Sequence, residues 1–383
     1  MTERRIFVTA FALAMGAAVS LGLARFSYAL LLPPMRSDLG WSYFTAGAMN
    51  TVNAVGYLAG ALLLPRALGR LEARTVFLAG GWGAAALLAL HGLVRDDALL
   101  YVLRGLTGVV SAISFASGGL LAAWLGQAPG AKPSLVLGLY YGGTGLGIVA
   151  SALVVPPLPW PSAWQGLALA ALAATLVMAW GTKPLAAAPA APPARGEGFR
   201  ARDFAFGLAG YLMFGLGYIG YMTFIVTLLK EQGASAGTVV AFYILLGTGV
   251  IASSWLWAPL LQRYRGGQPL ALLNALLALA TLLPVLSAHP LAAFASGALF
   301  GAVLLSLVAS TTALVRHNLP PAAWPAGIAA FTSIFAAGQI VGPILVGWVA
   351  DGAGGLLRGL AISALLLAVG AALAALQKPL TLH

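Results

Sequence analysis

Twelve long apolar stretches follow one another along 383 residues, and that repetition leaves the chain one solvent in which to fold. About 20 consecutive apolar residues make a helix that crosses the hydrocarbon of a bilayer. Hydrophobic residues make up 61 % of this chain and charged residues 8 %. A water-soluble domain holds about half and about a quarter. Strands of a membrane barrel are short and alternate polar with apolar, and these stretches do neither. The sequence therefore predicts an all-α membrane protein of twelve transmembrane helices in two pseudo-symmetric six-helix bundles.

The expected spans lie near 6–32, 41–64, 75–94, 98–124, 134–156 and 162–181, and again near 203–229, 237–261, 269–287, 290–315, 324–350 and 356–376. Pro, Gly and charge mark most of the short turns between them. The start, MTERR followed by IFVTAFALAMGAAVSLGLA, is read as a retained first span rather than a cleaved leader, because its apolar run is long and lacks a cleavage site. Residues 182–202, rich in Ala and Pro, read as a cytoplasmic linker. This gives an N-terminal bundle over 1–181 and a C-terminal bundle over 203–383.

Cytoplasmic loops favour Lys and Arg. With the N-terminus inside, fourteen of the 20 basic residues fall in inside loops, against Arg36, Arg95, Lys230 and Arg358 outside. The expected location is the cytoplasmic (inner) membrane of a bacterium, with both termini cytoplasmic. An ungapped shift of 193 residues aligns the halves. It pairs Gly22 with Gly215, Tyr28 with Tyr221, Gly40 with Gly233, Gly56 with Gly249, Gly108 with Gly301 and Gly145 with Gly338. Two parallel halves related about the membrane normal are one known transporter plan.

On these features the chain resembles the major facilitator superfamily over essentially its whole length. Arg66-Ala67-Leu68-Gly69-Arg70 is similar to the superfamily's loop motif after the second span, keeping its Gly and final Arg and lacking its Asp. Arg104 and Gly108 resemble its fourth-span Arg-x-x-x-Gly, and Gly138 to Gly147 its glycine-rich fifth span. The run RFSYALLLPPM at 25–35 resembles a bacterial branch labelled as sugar-efflux-like permeases. The resemblance implies alternating access, a gating role for Arg70 and, as in some antiporters, a coupling role for Arg104.

Arg25 interrupts the first span. An arginine at that depth costs several kcal/mol and by default marks a functional site, and its planar fork of donors suits a carboxylate or phosphate. The alternative is an arginine bonded to helix carbonyls or reaching for the interface. Tyr28 lies at i+3 on the same face. The repeat aligns Arg25 with Tyr218 and Tyr28 with Tyr221, so two pairs are expected to face one cavity, with aromatic packing as the other reading. Asn50, Asn53 and Tyr57 form one stripe of the second span, facing either a wet cavity or a neighbouring helix. Tyr140 and Gln339, with Tyr141, Tyr243, Trp255, Thr332 and Ser333, are further cavity candidates.

The acids decide as much. All nine lie in expected loops or at span ends, and the four His are placed likewise. A proton relay inside the membrane needs such groups, and a cavity with Arg25 and no acid attracts anions. There is no cysteine, no metal-ligand cluster and no Walker-type loop. The glycine run 142–147 lies inside a span, where helix packing explains it. No cofactor, no enzyme activity and no nucleic-acid partner are expected, despite a net charge of +11. The expected partners are membrane lipid and a small-molecule substrate, and a monomer is compatible with the sequence. The preferred reading is a secondary active transporter of a small organic anion such as a monocarboxylate. The alternatives are efflux of neutral or amphipathic compounds such as sugars or drugs, and a non-transporting membrane receptor or scaffold.

Overall fold

A computed structural model describes residues 2–185 and 199–380. Most of the expected linker, and with it Arg195 and Glu197, lies outside the described residues. Among the described residues, twelve helices are long and apolar enough to cross a membrane: span 1 (Glu3–Leu39), span 2 (Tyr43–Leu68), span 3 (Ala73–His91), span 4 (Asp97–Leu125), span 5 (Pro133–Val154), span 6 (Trp160–Gly181), span 7 (Ala201–Glu231), span 8 (Ala236–Arg263), span 9 (Gln268–Leu286), span 10 (Pro290–Asn318), span 11 (Pro321–Ala350) and span 12 (Gly355–Ala375). No strand occurs among the described residues.

The span ends follow from local chemistry. Thr2 and Asp96 cap spans 1 and 4, accepting from the backbone N–H of Arg5 and Leu99. A side-chain oxygen there satisfies one of the N–H groups that a helix start leaves without an internal partner. Pro133 opens span 5 at a position where its missing N–H costs nothing. Gly40 ends span 1 with φ +67° and Gly233 follows span 7 with φ +84°. Both are left-handed positions that glycine takes without strain, and they are partners under the 193-residue repeat.

The chain forms two compact units. The first comprises Met1–Trp41, Val52–Ala191 and Ser235–Ile251, and the second Ser42–Thr51, Pro192–Ala234 and Ala252–His383. Each unit thus takes in a short piece of the other sequence half, from the start of span 2 or of span 8. In the first unit span 1 packs on spans 4, 5 and 6, and span 3 on spans 4 and 6. In the second, span 7 packs on spans 11 and 12, and span 9 on spans 10 and 12.

Small residues set these packings. Lipid is as apolar as leucine, so helices gain by close backbone approach rather than by expelling water. A Cβ added to Gly22 would strike the backbone of Gly147, and one added to Gly215 would meet the Cα of Gly338 at 3.2 Å. Spans 1 and 5 in one unit, and spans 7 and 11 in the other, therefore meet glycine to glycine in the same manner.

Candidate functional site

Span 1 is not a uniform helix. Residues Ala18–Phe26 form a π-helical segment, whose wider turn is rare and frequently occurs at functional sites. At its end Ser27 N–H bonds back five residues to the Gly22 carbonyl at 3.0 Å. Pro33 and Pro34 follow in the next turns. Arg25 lies inside this segment, about 21 Å of helix from the end of the span at Leu39 on the usual 1.5 Å rise. The residue is 3 % exposed, so it is packed among neighbouring helices.

The residues around it come from three other spans of the same unit, spans 2, 4 and 8. The Arg25 guanidinium carbon stands 5.3 Å from the centre of the Tyr57 ring. The Arg104 guanidinium stands 4.5 Å over the ring of Tyr28, and its Nη1 donates to the carbonyl of Ala24 at 3.2 Å. Cation–ring contacts of this kind strengthen when desolvated. Asn53 donates to the Arg104 carbonyl at 3.0 Å. Gly108 makes that approach possible, since a Cβ there would run into the Asn53 carbonyl. From span 8, the Tyr243 hydroxyl donates to the Phe26 carbonyl at 2.7 Å. The π segment is thus held from span 4 by Arg104 and from span 8 by Tyr243, on either side of Arg25. Tyr140 donates to the Phe115 carbonyl and packs edge-on against Tyr141 at 5.2 Å.

The second unit carries rings where the first carries charge. Tyr218 is stacked on Phe214 at 4.6 Å and on Phe335 at 5.4 Å, and Tyr211 stacks on Phe335 at 5.0 Å. Gln339 donates to the Tyr218 hydroxyl, which puts an amide at the end of the stack. Asn50, at the start of span 2, donates to Thr223 Oγ1 at 2.7 Å. Tyr221 shares a hydrogen with Ser296 at 2.6 Å and stacks on Phe300 at 4.1 Å.

The structure therefore brings Arg25, Tyr28, Asn53, Tyr57 and Arg104 together in one unit and Tyr218 with Gln339 in the other. Tyr221 and Tyr140 are engaged with span 10 and span 4. Thr332 and Ser333 bond back to carbonyls of their own span. Arg70 is an exposed residue of the turn after span 2. There the anchored side chain is Arg74, which donates to Thr182 Oγ1 at 3.2 Å and to the Ala179 carbonyl at 2.7 Å. Every described acid lies at a span end or on a cap, and none inside a span. His91 closes span 3, stacked on Trp164 at 4.5 Å. No cluster of metal-binding side chains occurs among the described residues.

The sequence profile of a family described as "Uncharacterised MFS-type transporter YbfB" matches residues 17–375. The chain belongs to that family. It is a multi-pass membrane protein and a secondary transporter of the major facilitator type, a family of carriers for small molecules and not of enzymes. Solved structures share the fold. A bacterial homologue of the human lysosomal transporter Spinster, inward-facing and unoccupied, matches with a TM-score of 0.75 and 13 % identity, over 98 % of this chain and 97 % of that one. A variant of the nucleoside transporter NupG gives 0.74 and 15 %, over 96 % and 97 %. The human organic anion transporter MFSD10 gives 0.65 and 16 %, over 98 % and 100 %. No curated protein matches the sequence. Identities this low carry the fold and nothing of the substrate.

Proposed function

We propose that this transporter moves a small organic anion of the monocarboxylate type by alternating access, with Arg25 as the counter-charge. One observation carries the reading. A buried guanidinium sits mid-span on a π-helical segment beside Tyr57, while the described acids stay at span ends. A positive centre in a low-dielectric span favours an anionic guest, and the guanidinium fork matches a carboxylate. Tyr57 and Tyr28 supply hydroxyls and ring faces and Asn53 an amide, while Arg104 holds the segment through the Ala24 carbonyl. Asn50, Tyr140, Tyr218, Tyr221 and Gln339 are further proposed binding residues, and Arg70 and Arg104 are the proposed gating or coupling residues.

The proposal includes two six-helix halves, 1–181 and 203–383, joined by a linker over 182–202. It also places both termini in the cytoplasm of a bacterium, on the distribution of Lys and Arg. An inside-negative potential pushes a bare anion outward with about 2.3 kcal/mol per charge per 100 mV, so export needs no coupling proton. One structural neighbour, MFSD10, is an organic anion transporter, which is compatible with this cargo.

The test is flux in proteoliposomes with radiolabelled monocarboxylates and neutral analogues. Arg25→Ala removes a charge-assisted interaction of about 1.5–3 kcal/mol, a loss of roughly 10- to 150-fold in apparent affinity. Arg25→Lys keeps the charge without the fork and should fall between. Unchanged anion flux in both variants would remove the assignment. A second reading, carriage of a neutral or amphipathic compound, is favoured by the Tyr211, Phe214, Tyr218 and Phe335 stack with Gln339 at its end. NupG, a nucleoside transporter, is a neighbour of that kind. Flux of a neutral analogue that survives Arg25→Ala but falls in Tyr218→Ala would select it.

A further inference from the structure

Span 2 begins with backbone N–H groups that need acceptors. Ser42 Oγ accepts from Thr45 N–H at 3.0 Å, and the Ser42 carbonyl from Ala46 N–H at 3.1 Å. The first two N–H groups, of Tyr43 and Phe44, go elsewhere. They donate at 2.8 and 2.9 Å to the two carboxylate oxygens of Asp351, which follows span 11. One carboxylate thus closes the start of a helix some 300 positions away in sequence.

The placement runs against the interest of Asp351's own helix. A negative charge at a helix C-terminus is unfavourable, and the same charge at an N-terminus is favourable. Asp351 is the C-cap of span 11, so its charge is gained by span 2 alone. Glu231 repeats the arrangement. It is the last residue of span 7, and its carboxylate accepts from the Tyr43 hydroxyl. Two acids, each on the wrong end of its own helix, converge on the start of span 2.

Below them the seam is tight. A Cβ on Gly347 would collide with the Tyr43 carbonyl, and one on Gly47 with the Pro343 carbonyl. Thr51 Oγ1 donates to the Ile340 carbonyl at 2.6 Å. Positions 43, 47 and 51 of span 2 therefore meet 347, 343 and 340 of span 11 in antiparallel order, one helical turn per step. The carboxylates lie at the water-accessible rim of this seam, with Asp351 and Phe44 exposed. Water can replace their hydrogen bonds when the seam parts, which a contact made and broken in each cycle requires.

We infer that Asp351 is a conformational latch: its carboxylate caps span 2 in trans and holds the span 2–span 11 seam closed at that end of the bundle. The seam joins a span of one sequence half to a span of the other, and alternating access moves one repeat against the other. The inference holds for any substrate class.

The chain has no cysteine, so an introduced pair reports without background. Phe44→Cys with Trp348→Cys flanks the seam, because the Phe44 Cα lies against Gly347. In the full-length protein in vesicles, a short bifunctional thiol reagent should cross-link this pair efficiently. Adding Asp351→Asn should lower the closed-to-open ratio about tenfold, which is about 1.4 kcal/mol. Asp351→Glu should restore part of it, and Tyr43→Phe should cause a smaller drop. Equal cross-linking in the parent pair and the Asp351→Asn variant, with thermal stability retained, overturns the latch. An Asp351→Asn protein that fails to fold, together with an unchanged Tyr43→Phe, assigns the carboxylate to folding and overturns it as well.

Discussion

The starts of spans 2 and 8 do the same job by different chemistry. The repeat makes them equivalents, and their local caps agree. Ser42 Oγ accepts from Thr45 N–H at 3.0 Å, and Ser235 Oγ from Thr238 N–H at 3.1 Å, with both residues of each pair 193 apart. Each start is also absorbed into the unit formed mainly by the other half. There the likeness ends. Span 2 is held by Asp351, Glu231, Asn50 and Thr51, a row of polar contacts beginning at an exposed rim. Span 8 is held by backbone proximity. A Cβ on Gly145 would strike the Gly247 carbonyl, one on Gly247 would come within 2.9 Å of the Gly145 carbonyl, and the Tyr243 hydroxyl bonds the Phe26 carbonyl. The position equivalent to Asp351 is Leu158. One seam can trade its bonds with water and the other cannot, so a single fold holds one contact tuned by charge and one fixed by shape.

The largest effect should come from the shape-fixed seam. Gly247→Val places a branched side chain where no space exists, and overpacking of this kind costs about 1–3 kcal/mol, sometimes more. A lower unfolding temperature and loss of transport are expected together. Gly247→Val with wild-type stability would mean that the span 5–span 8 contact is loose, and the contrast between the seams would fail.

Next comes a graft. Leu158→Asp puts a carboxylate at the repeat equivalent of Asp351, and a cap of this type is worth about 0.5–2 kcal/mol. If the repeat governs both seams, the variant should favour the closed span 8 start and slow turnover several-fold. Unchanged turnover, with a cysteine pair across spans 5 and 8 cross-linking as before, would show that the latch depends on more than the repeat geometry.

How far the sequence reached differs between these elements. Spans were legible to within a few residues in most cases, because apolar length and the Pro, Gly and charge at each turn are local signals. The equivalence of Gly40 and Gly233 was legible from the repeat, and both positions carry positive φ. The π segment was not, since no side chain in Ala18–Phe26 announces a wider turn. That turn alters the register between Arg25 and Tyr28, so i+3 spacing did not indicate that Tyr28 faces Arg104 while Arg25 faces Tyr57. Nor could spacing show that Tyr221 pairs with Ser296, which is a contact between distant spans. Asp351 was visible only as an acid near a span end. Its partners are some 300 residues away, and no local pattern points to them.

The smallest effect probes a polar bond of the span 8 seam. The Tyr243 hydroxyl is buried and donates to the Phe26 carbonyl, one residue after Arg25 and inside the π segment. A neutral hydrogen bond contributes about 0.5–1.5 kcal/mol net, and removal of the donor leaves a carbonyl whose desolvation is no longer offset. Tyr243→Phe keeps the ring and its packing, so stability should fall by about 1 kcal/mol with the cross-linking of both seams little changed. Transport should respond differently from stability. Because the bond ties span 8 to the segment that carries Arg25, its loss should weaken substrate affinity more than maximal rate. A variant in which affinity is untouched while only the unfolding temperature moves would separate the span 8 seam from the Arg25 segment, and would leave Tyr243 as packing alone.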